Sequence, residues 1–156
     1  MKYIVLAVVI ALAIFYFTKN SNDKKAALEN IKIGKEFLAT NKANEDVTET
    51  ASGLQYQVLQ KGEESEHPRA NTTVKVHYHG MLIDGTVFDS SVERNKPISF
   101  SLNQVIKGWT EGVQLMVVGD KFKFFIPSEL AYGNRATGEI TPGSLLIFEV
   151  ELLEIQ

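Results

Sequence analysis

Residues 76–91, VHYHGMLIDGTVFDSS, set an aromatic-acidic pair, Phe88-Asp89, shortly after His77, Tyr78 and His79. A carboxylate beside aromatic rings is costly to desolvate unless water or a hydrogen bond compensates it. Asp89 is therefore either a functional carboxylate on an aromatic surface or a turn aspartate capping its own backbone. The local pattern leaves both readings open. Trp109, the single tryptophan, sits between Gly108 and Gly112. Glycine inside a helix costs about 1 kcal/mol relative to alanine, so something must approach closely there. It is either the helix backbone pressed on a sheet or a ligand pocket with Trp109 as its floor.

Three other chemistries find less support. His77 and His79 stand two apart as a possible metal pair, but the chain has no cysteine and offers no third ligand at a recognisable spacing. No metal and no cofactor are expected, and solvated strand histidines are the simpler reading. Ser90-Ser91 lacks the Gly-x-Ser-x-Gly elbow of a serine hydrolase. Gly133, Gly138 and Gly143 have neither dinucleotide nor P-loop spacing and shape a loop instead.

The elements that must position these residues follow from periodicity. Val74, Val76, Tyr78, Gly80 and Leu82 alternate with Lys75, His77, His79 and Met81, the period of two of a strand covering a core on one face. Asp84-Gly85 signals a two-residue hairpin turn, which would bring Thr86, Val87 and Phe88 back alongside Tyr78. Further strands are expected at 54–59, 97–101, 120–126 and 145–153, and a helix over 104–115 with Val105, Trp109 and Val113 on one stripe. In the last strand Leu146, Phe148, Val150 and Leu152 face one way and Glu149 and Glu151 the other. Phe122, Phe124 and Ile126 make the inner face strongly aromatic, opposite Lys121, Lys123 and Phe125. The class is α+β, with several strands and a single convincing helix.

The 156 residues are 44% hydrophobic and carry a formal net charge of -3, which suits one globular domain with an appendage. Scattered lysines and a mildly acidic balance give no field for nucleic acid. The absence of cysteine excludes disulfides and thiolate catalysis.

The appendage is Tyr3 to Phe17, apolar throughout and preceded by Lys2. At about 1.5 Å per residue it covers a little over ~20 Å, against a hydrocarbon core of roughly 30 Å. Ala11-Leu12-Ala13, the one small-residue pattern suited to signal cleavage, lies inside the run. A retained single-pass anchor over residues 1–20 is therefore expected, and the alternative is an uncleaved or cleaved signal. Lys19, Lys24 and Lys25 follow the run, which by the positive-inside rule leans toward a cytoplasmic C-terminal side. Asn22 or Asp23 then caps an expected amphipathic helix to about Ala39, and a polar linker completes a segment over 21–51. The main domain is expected over 52–156.

Taken together, VHYHGMLIDGTVFDSS, ERNKPISF at 93–100, QVIKGWTEGVQLM at 104–116, AYG at 131–133 and LIFEVELLEI at 146–155 resemble the FKBP-type peptidyl-prolyl cis-trans isomerases. The preceding Asn30, Gly34, Phe37-Leu38, Asn41 and SGLQYQVL at 52–59 are similar to the macrophage-infectivity-potentiator-like branch. That branch usually carries a longer helical dimerisation region, so a monomer is expected rather than a dimer. The resemblance implies a half-wrapped antiparallel sheet around one short helix, with an apolar pocket between them. Its floor would be Trp109, walled by Tyr78, Phe88, Val105, Ile106, Tyr132, Ile140 and Phe148. Asp89 would stand at the rim, with Arg94 as partner to it or to Tyr78.

The implied activity is X-Pro isomerisation during protein folding. Proline-containing polypeptides would be the substrates, and macrolides a second ligand class. Ile98 replaces an aromatic residue common in eukaryotic members, and the stretch from Phe100 to Val105 is shorter than theirs, so the rim differs. Of the implied catalytic residues Asp89, Tyr78 and Tyr132, Asp89 with Tyr78 would orient or polarise the rotating carbonyl and the Tyr132 hydroxyl would hold substrate carbonyls with the Ile106 N–H, while Phe88, Val105, Ile106, Trp109, Ile140 and Phe148 would bind the proline segment. The competing reading is a membrane-tethered holdase that binds peptides in the same pocket without isomerising them. Related bacterial proteins with hydrophobic leaders act beyond the inner membrane. A single-pass inner-membrane protein with a periplasmic catalytic domain is accordingly expected, against the alternatives of the cytoplasmic face or a soluble periplasmic form.

Overall fold

The computed structural model describes the backbone of residues 2–156 and the side chains from residue 5 onward. Helix α1 (Lys2–Asn41) is followed by strands β1 (Val47–Glu49), β2 (Gln55–Gln60), β3 (Thr73–Met81), β4 (Val87–Ser90) and β5 (Ile98–Ser101), helix α2 (Lys107–Val113), and strands β6 (Lys121–Ile126) and β7 (Leu146–Ile155). The seven strands form one antiparallel sheet in the order β1-β2-β6-β7-β3-β4, with β5 also paired to β3. Alternation in β3 is strict: Val74, Val76, Tyr78 and Gly80 are buried, and the residues between them are half-buried. One face of the sheet wraps α2 around a core that includes Trp109, Val113, Phe124, Phe148 and Val150.

The expected apolar and amphipathic helices are two parts of one continuous helix. No proline or glycine lies between Phe17 and Gly34 to break the hydrogen-bond ladder, and Thr18 back-bonds to the Ile14 carbonyl at 2.9 Å. From Val5 to Phe17 the large apolar side chains are exposed on every side. From Ala27 onward the helix lies on the outer face of the sheet. Phe37 meets Phe125 with ring centroids 5.9 Å apart, and Phe37, Leu38, Val47 and Met81 pack on Phe125, Leu145 and Ile147. This second core explains two breaks in the polar-out alternation, Phe125 among the lysines of β6 and Ile147 in β7.

Two local details differ from expectation. The β3–β4 turn has three residues, not two: Leu82 N–H donates to the Thr86 carbonyl at 2.9 Å, and Gly85 N–H to the Leu82 carbonyl at 3.0 Å. Asp84 keeps a negative φ, and only Gly85 takes the left-handed region, at φ 87°. That is a type I turn closed by a glycine bulge, and a second bulge leaves Phe88 between the Gly80–Asp89 and Met81–Val87 pairs. Phe88 is thereby re-aimed toward the core. Helix α2 starts at Lys107, so Val105 and Ile106 precede it in extended backbone.

The edge of β3 is shared. Residues 79–81 pair with β4 and residues 73–76 with β5, and the chain loops outward over 91–97 at the handover. Ser91 pins that excursion from both ends, its N–H donating to the Tyr78 carbonyl at 3.0 Å and its carbonyl accepting from Lys96 N–H at 3.1 Å. This brings Arg94 back over Tyr78 and Asp89.

Candidate active site

Between α2, the β3–β5 edge and the 129–140 loop lies an open cleft of about 1130 Å³. All the residues expected to form a site line it: Tyr78, Phe88, Asp89, Val105, Ile106, Trp109, Tyr132, Ile140 and Phe148. Trp109 is 4% exposed and stands in a cage of aromatic edges. Its ring is nearly perpendicular to Tyr78, Phe100 and Phe148, at centroid distances of 5.5, 5.6 and 5.3 Å. Such edge-to-face pairs are each worth about 0.5–1.5 kcal/mol beyond area burial. Phe88 completes the wall through a T-shaped contact with Phe148 at 5.3 Å.

Small residues create the room for this wall. A Cβ on Gly80 would lie 2.7 Å from both Phe148 Cε1 and Phe88 Cζ. Glycine in a central strand therefore marks the close approach of two rings. The two glycines of α2 meet the sheet, Gly108 at Ile126 and Gly112 at Phe124. The helix is thus pressed on the sheet, as one reading of the Gly-Trp-Gly pattern expects, and Trp109 lines the cleft.

At the rim, Asp89 is gripped from two sides. Tyr78 Oη donates to Oδ2 at 2.5 Å, and Arg94 pairs with Oδ1. The second Arg94 nitrogen donates to Tyr78 Oη at 3.1 Å, with the guanidinium carbon 5.9 Å from the Tyr78 ring centroid. Burial pushes the Asp89 carboxyl up, but the Tyr78 hydroxyl and the Arg94 charge outweigh it and hold it below its ordinary value. Burial and then the Asp89 hydrogen bond push the Tyr78 phenol up. The carboxylate is therefore ionised and the phenol neutral across the physiological range.

The sign for stability follows from these directions. Asp89 contributes above its unfolded value of 3.8, and this is lost as pH falls through the lower folded value. Tyr78 contributes below 10.0, and this is lost as pH rises through the higher folded value. Asp89 and its partner Arg94 are half-exposed, so the stabilising effect of this ion pair is small.

Three polar groups of the site make no hydrogen bond. Among the described residues, Tyr132 Oη makes no hydrogen bond, and Ile106 N–H, left free because α2 begins one residue later, donates to no acceptor. Trp109 Nε1 is buried without a partner. His77 and His79 lie on the opposite face of β3, each with Nδ1 2.9 Å from a serine, Ser91 and Ser90 respectively. Phe100 was not among the expected site residues. Its alternation with the serines 99 and 101 in the PISFS stretch is the signal that marks it as inward-facing.

Residues 64–153 match the family described as FKBP-type peptidyl-prolyl cis-trans isomerase, and residues 9–58 match the domain amino-terminal to it. The FKBP-type peptidyl-prolyl cis-trans isomerase FkpA of Aeromonas hydrophila is 58% identical over 139 residues, which are 89% of this chain and 51% of that protein. The FKBP-type 22 kDa peptidyl-prolyl cis-trans isomerase of Escherichia coli is 53% identical over 78% of this chain and 59% of its own length. The outer membrane protein MIP of Legionella longbeachae is 42% identical over 88% of this chain and 59% of that protein. The chain thus spans about half the length of the curated relatives it matches. The crystal structure of FkpA from Escherichia coli superposes with a TM-score of 0.91 at 39% identity, covering 98% of this chain and 71% of that one. A peptidyl-prolyl isomerase structure from Pseudomonas syringae gives 0.76 at 38% identity, covering 83% and 96%.

Proposed function

Because this chain belongs to the FKBP-type peptidyl-prolyl cis-trans isomerases, we propose that it accelerates X-Pro isomerisation in folding polypeptides by seating the proline ring on Trp109. The observation that carries this is the cleft itself: an aromatic cage with unbonded donors at its edges and one fixed, ionised carboxylate at its rim. Amide rotation needs no nucleophile, proton shuttle or cofactor. Resonance sets the barrier near ~18–20 kcal/mol, and the planar amide is the more charge-separated state. Apolar walls therefore favour the twisted form relative to water.

In this reading Phe88, Phe148, Val105 and Ile140 enclose the ring. Ile106 N–H and Tyr132 Oη hold substrate carbonyls, and Asp89 with Tyr78 orients the rotating carbonyl. Trp109 is the single tryptophan, so its fluorescence should change on titration with a short Xaa-Pro peptide. NMR exchange on the same peptide separates catalysis from mere binding. Cross-peaks growing with enzyme concentration support the isomerase, whereas saturable binding without any rate gain replaces it by a peptide-binding holdase.

Since neither Asp89 nor Tyr78 changes charge between about pH 5 and 9, the pH profile of kcat/KM should be flat there. A single titration in that window would contradict the fixed charges assigned to this pair. Asp89→Asn should lower kcat/KM roughly tenfold while thermal unfolding stays within a few degrees of wild type.

Helix α1, long and apolar enough to cross a membrane and with its apolar side chains from Val5 to Phe17 exposed, is read as a single span of the inner membrane, with residues 52–156 as a periplasmic catalytic domain in a monomer. Protease accessibility in spheroplasts against intact and lysed cells tests that placement. Macrolides would occupy the same cleft, with Ile98 on its rim.

A further inference from the structure

Helix α1 touches the cleft's outer wall from behind. Asn30 Nδ2 donates to Thr141 Oγ1 at 3.1 Å and to the Pro142 carbonyl at 2.8 Å, using both of its amide hydrogens. On either side the approach is close. A Cβ on Gly143 would lie 2.9 Å from Ala27 Cα, and one on Gly34 would lie 3.3 Å from Leu145 Cβ. Ala27 is 1% exposed.

The segment held there is the back of the wall. Ile140, 5% exposed and lining the cleft, immediately precedes Thr141. Its backbone is closed on Thr137 by two hydrogen bonds of 2.9 Å. Gly143 N–H donates to the Gly133 carbonyl at 2.9 Å, and Gly133 follows Tyr132. One anchored stretch, 141–143, therefore sets where both Ile140 and Tyr132 stand. The loop in front of it, from Asn134 to Glu139, is exposed and bonded only within itself and its base.

We propose that Asn30 is a positioning residue of the proline pocket: its carboxamide, carried by a helix outside the wrapped sheet, fixes the Thr141–Pro142 segment and through it the Ile140 and Tyr132 wall. This rests on the reading of the cleft as a proline site. The function is positional, because Asn30 lies behind the wall and meets no substrate. A loosened wall binds the proline segment less well but leaves the fixed Asp89–Tyr78–Arg94 cluster untouched. The effect should therefore fall on KM and not on kcat.

The test uses the full chain in detergent micelles and a short Xaa-Pro peptide, with steady-state isomerisation and NMR of the Ile140 methyl groups. Asn30→Ala should raise KM about fivefold, as expected for the loss of a partly buried hydrogen-bonded anchor, with kcat within about twofold and a shifted Ile140 δ-methyl signal. Asn30→Asp, which turns an oxygen toward the Pro142 carbonyl, should be at least as impaired. A folded Asn30→Ala with unchanged KM overturns the proposal, as does a loss confined to kcat. Should that variant not fold, Thr141→Val removes one of the two acceptors without altering α1 and should raise KM about twofold; an unchanged KM there overturns the proposal equally. If the wild type binds peptide without a rate gain, the isomerase reading fails on its own. The wall proposal is then decided by the same variants through peptide Kd.

Discussion

Trp109→Ala is expected to lower the unfolding free energy by about 3–5 kcal/mol and to abolish measurable isomerisation. The stability loss follows from burial and contact: the indole is 4% exposed and removes three edge-to-face partners when it goes, Tyr78, Phe100 and Phe148. Folded domains hold only about 5–15 kcal/mol in total, so the variant should remain folded at low temperature with a lowered urea midpoint, read by circular dichroism. Its loss of activity should exceed what its unfolded fraction explains, because the floor on which the proline ring rests has been replaced by a void. Trp109→Phe is the discriminating companion. It keeps an aromatic floor and should retain both the fold and a reduced rate. A folded Trp109→Ala with wild-type turnover would remove the indole from the mechanism.

Gly112→Val should cost about 3 kcal/mol or more, and Gly112→Ala about 1–2 kcal/mol, both opposite in sign to helix propensity. At an exposed helix position alanine for glycine gains about 1 kcal/mol. Here the added Cβ would stand 2.6 Å from Phe124 Cε1 and 3.0 Å from Cδ1. Phe124 is fully buried, lies 5.8 Å from the Phe122 ring, and sits in a strand paired to Tyr56 on one side and Phe148 on the other. It has nowhere to retreat, so overpacking outweighs the gain. The displaced helix would also lift Trp109, so activity should fall with stability. Chemical denaturation of both variants decides the matter; a stabilised Gly112→Ala would show that α2 does not press on β6 as described.

Much of the sheet is legible in the sequence, for a local reason. A strand with one buried face must alternate, and β3 alternates over its whole length, so the side of Tyr78 and the opposite side of His77 and His79 followed from spacing alone. The Gly-Trp-Gly pattern signalled close approach because glycine in a helix interior needs a compensating contact. Its partners, Ile126 for Gly108 and Phe124 for Gly112, lie in a strand beyond the helix and are not encoded in the pattern. Helix boundaries were less legible: Val105 fits the stripe of α2 but lies outside it, in extended backbone before the helix. The hairpin signal was right in kind and wrong in length, since Asp-Gly serves a type I turn with a glycine bulge as readily as a two-residue turn.

The sequence by itself determined the class, the inward-facing set of residues and, through several ordered motifs, the family, because each of these rests on periodicity or on residue types a few positions apart. Only the tertiary structure decided the Asp89–Tyr78–Arg94 clamp as a closed cluster. It depends on β3 handing its edge from β4 to β5 and on the 91–97 excursion folding back, which are pairings between distant segments. Only the tertiary structure, likewise, joined α1 to the domain through Phe37 on Phe125 and Asn30 on Thr141 and Pro142. A helix stripe declares that it needs a partner but carries no record of which surface will supply it.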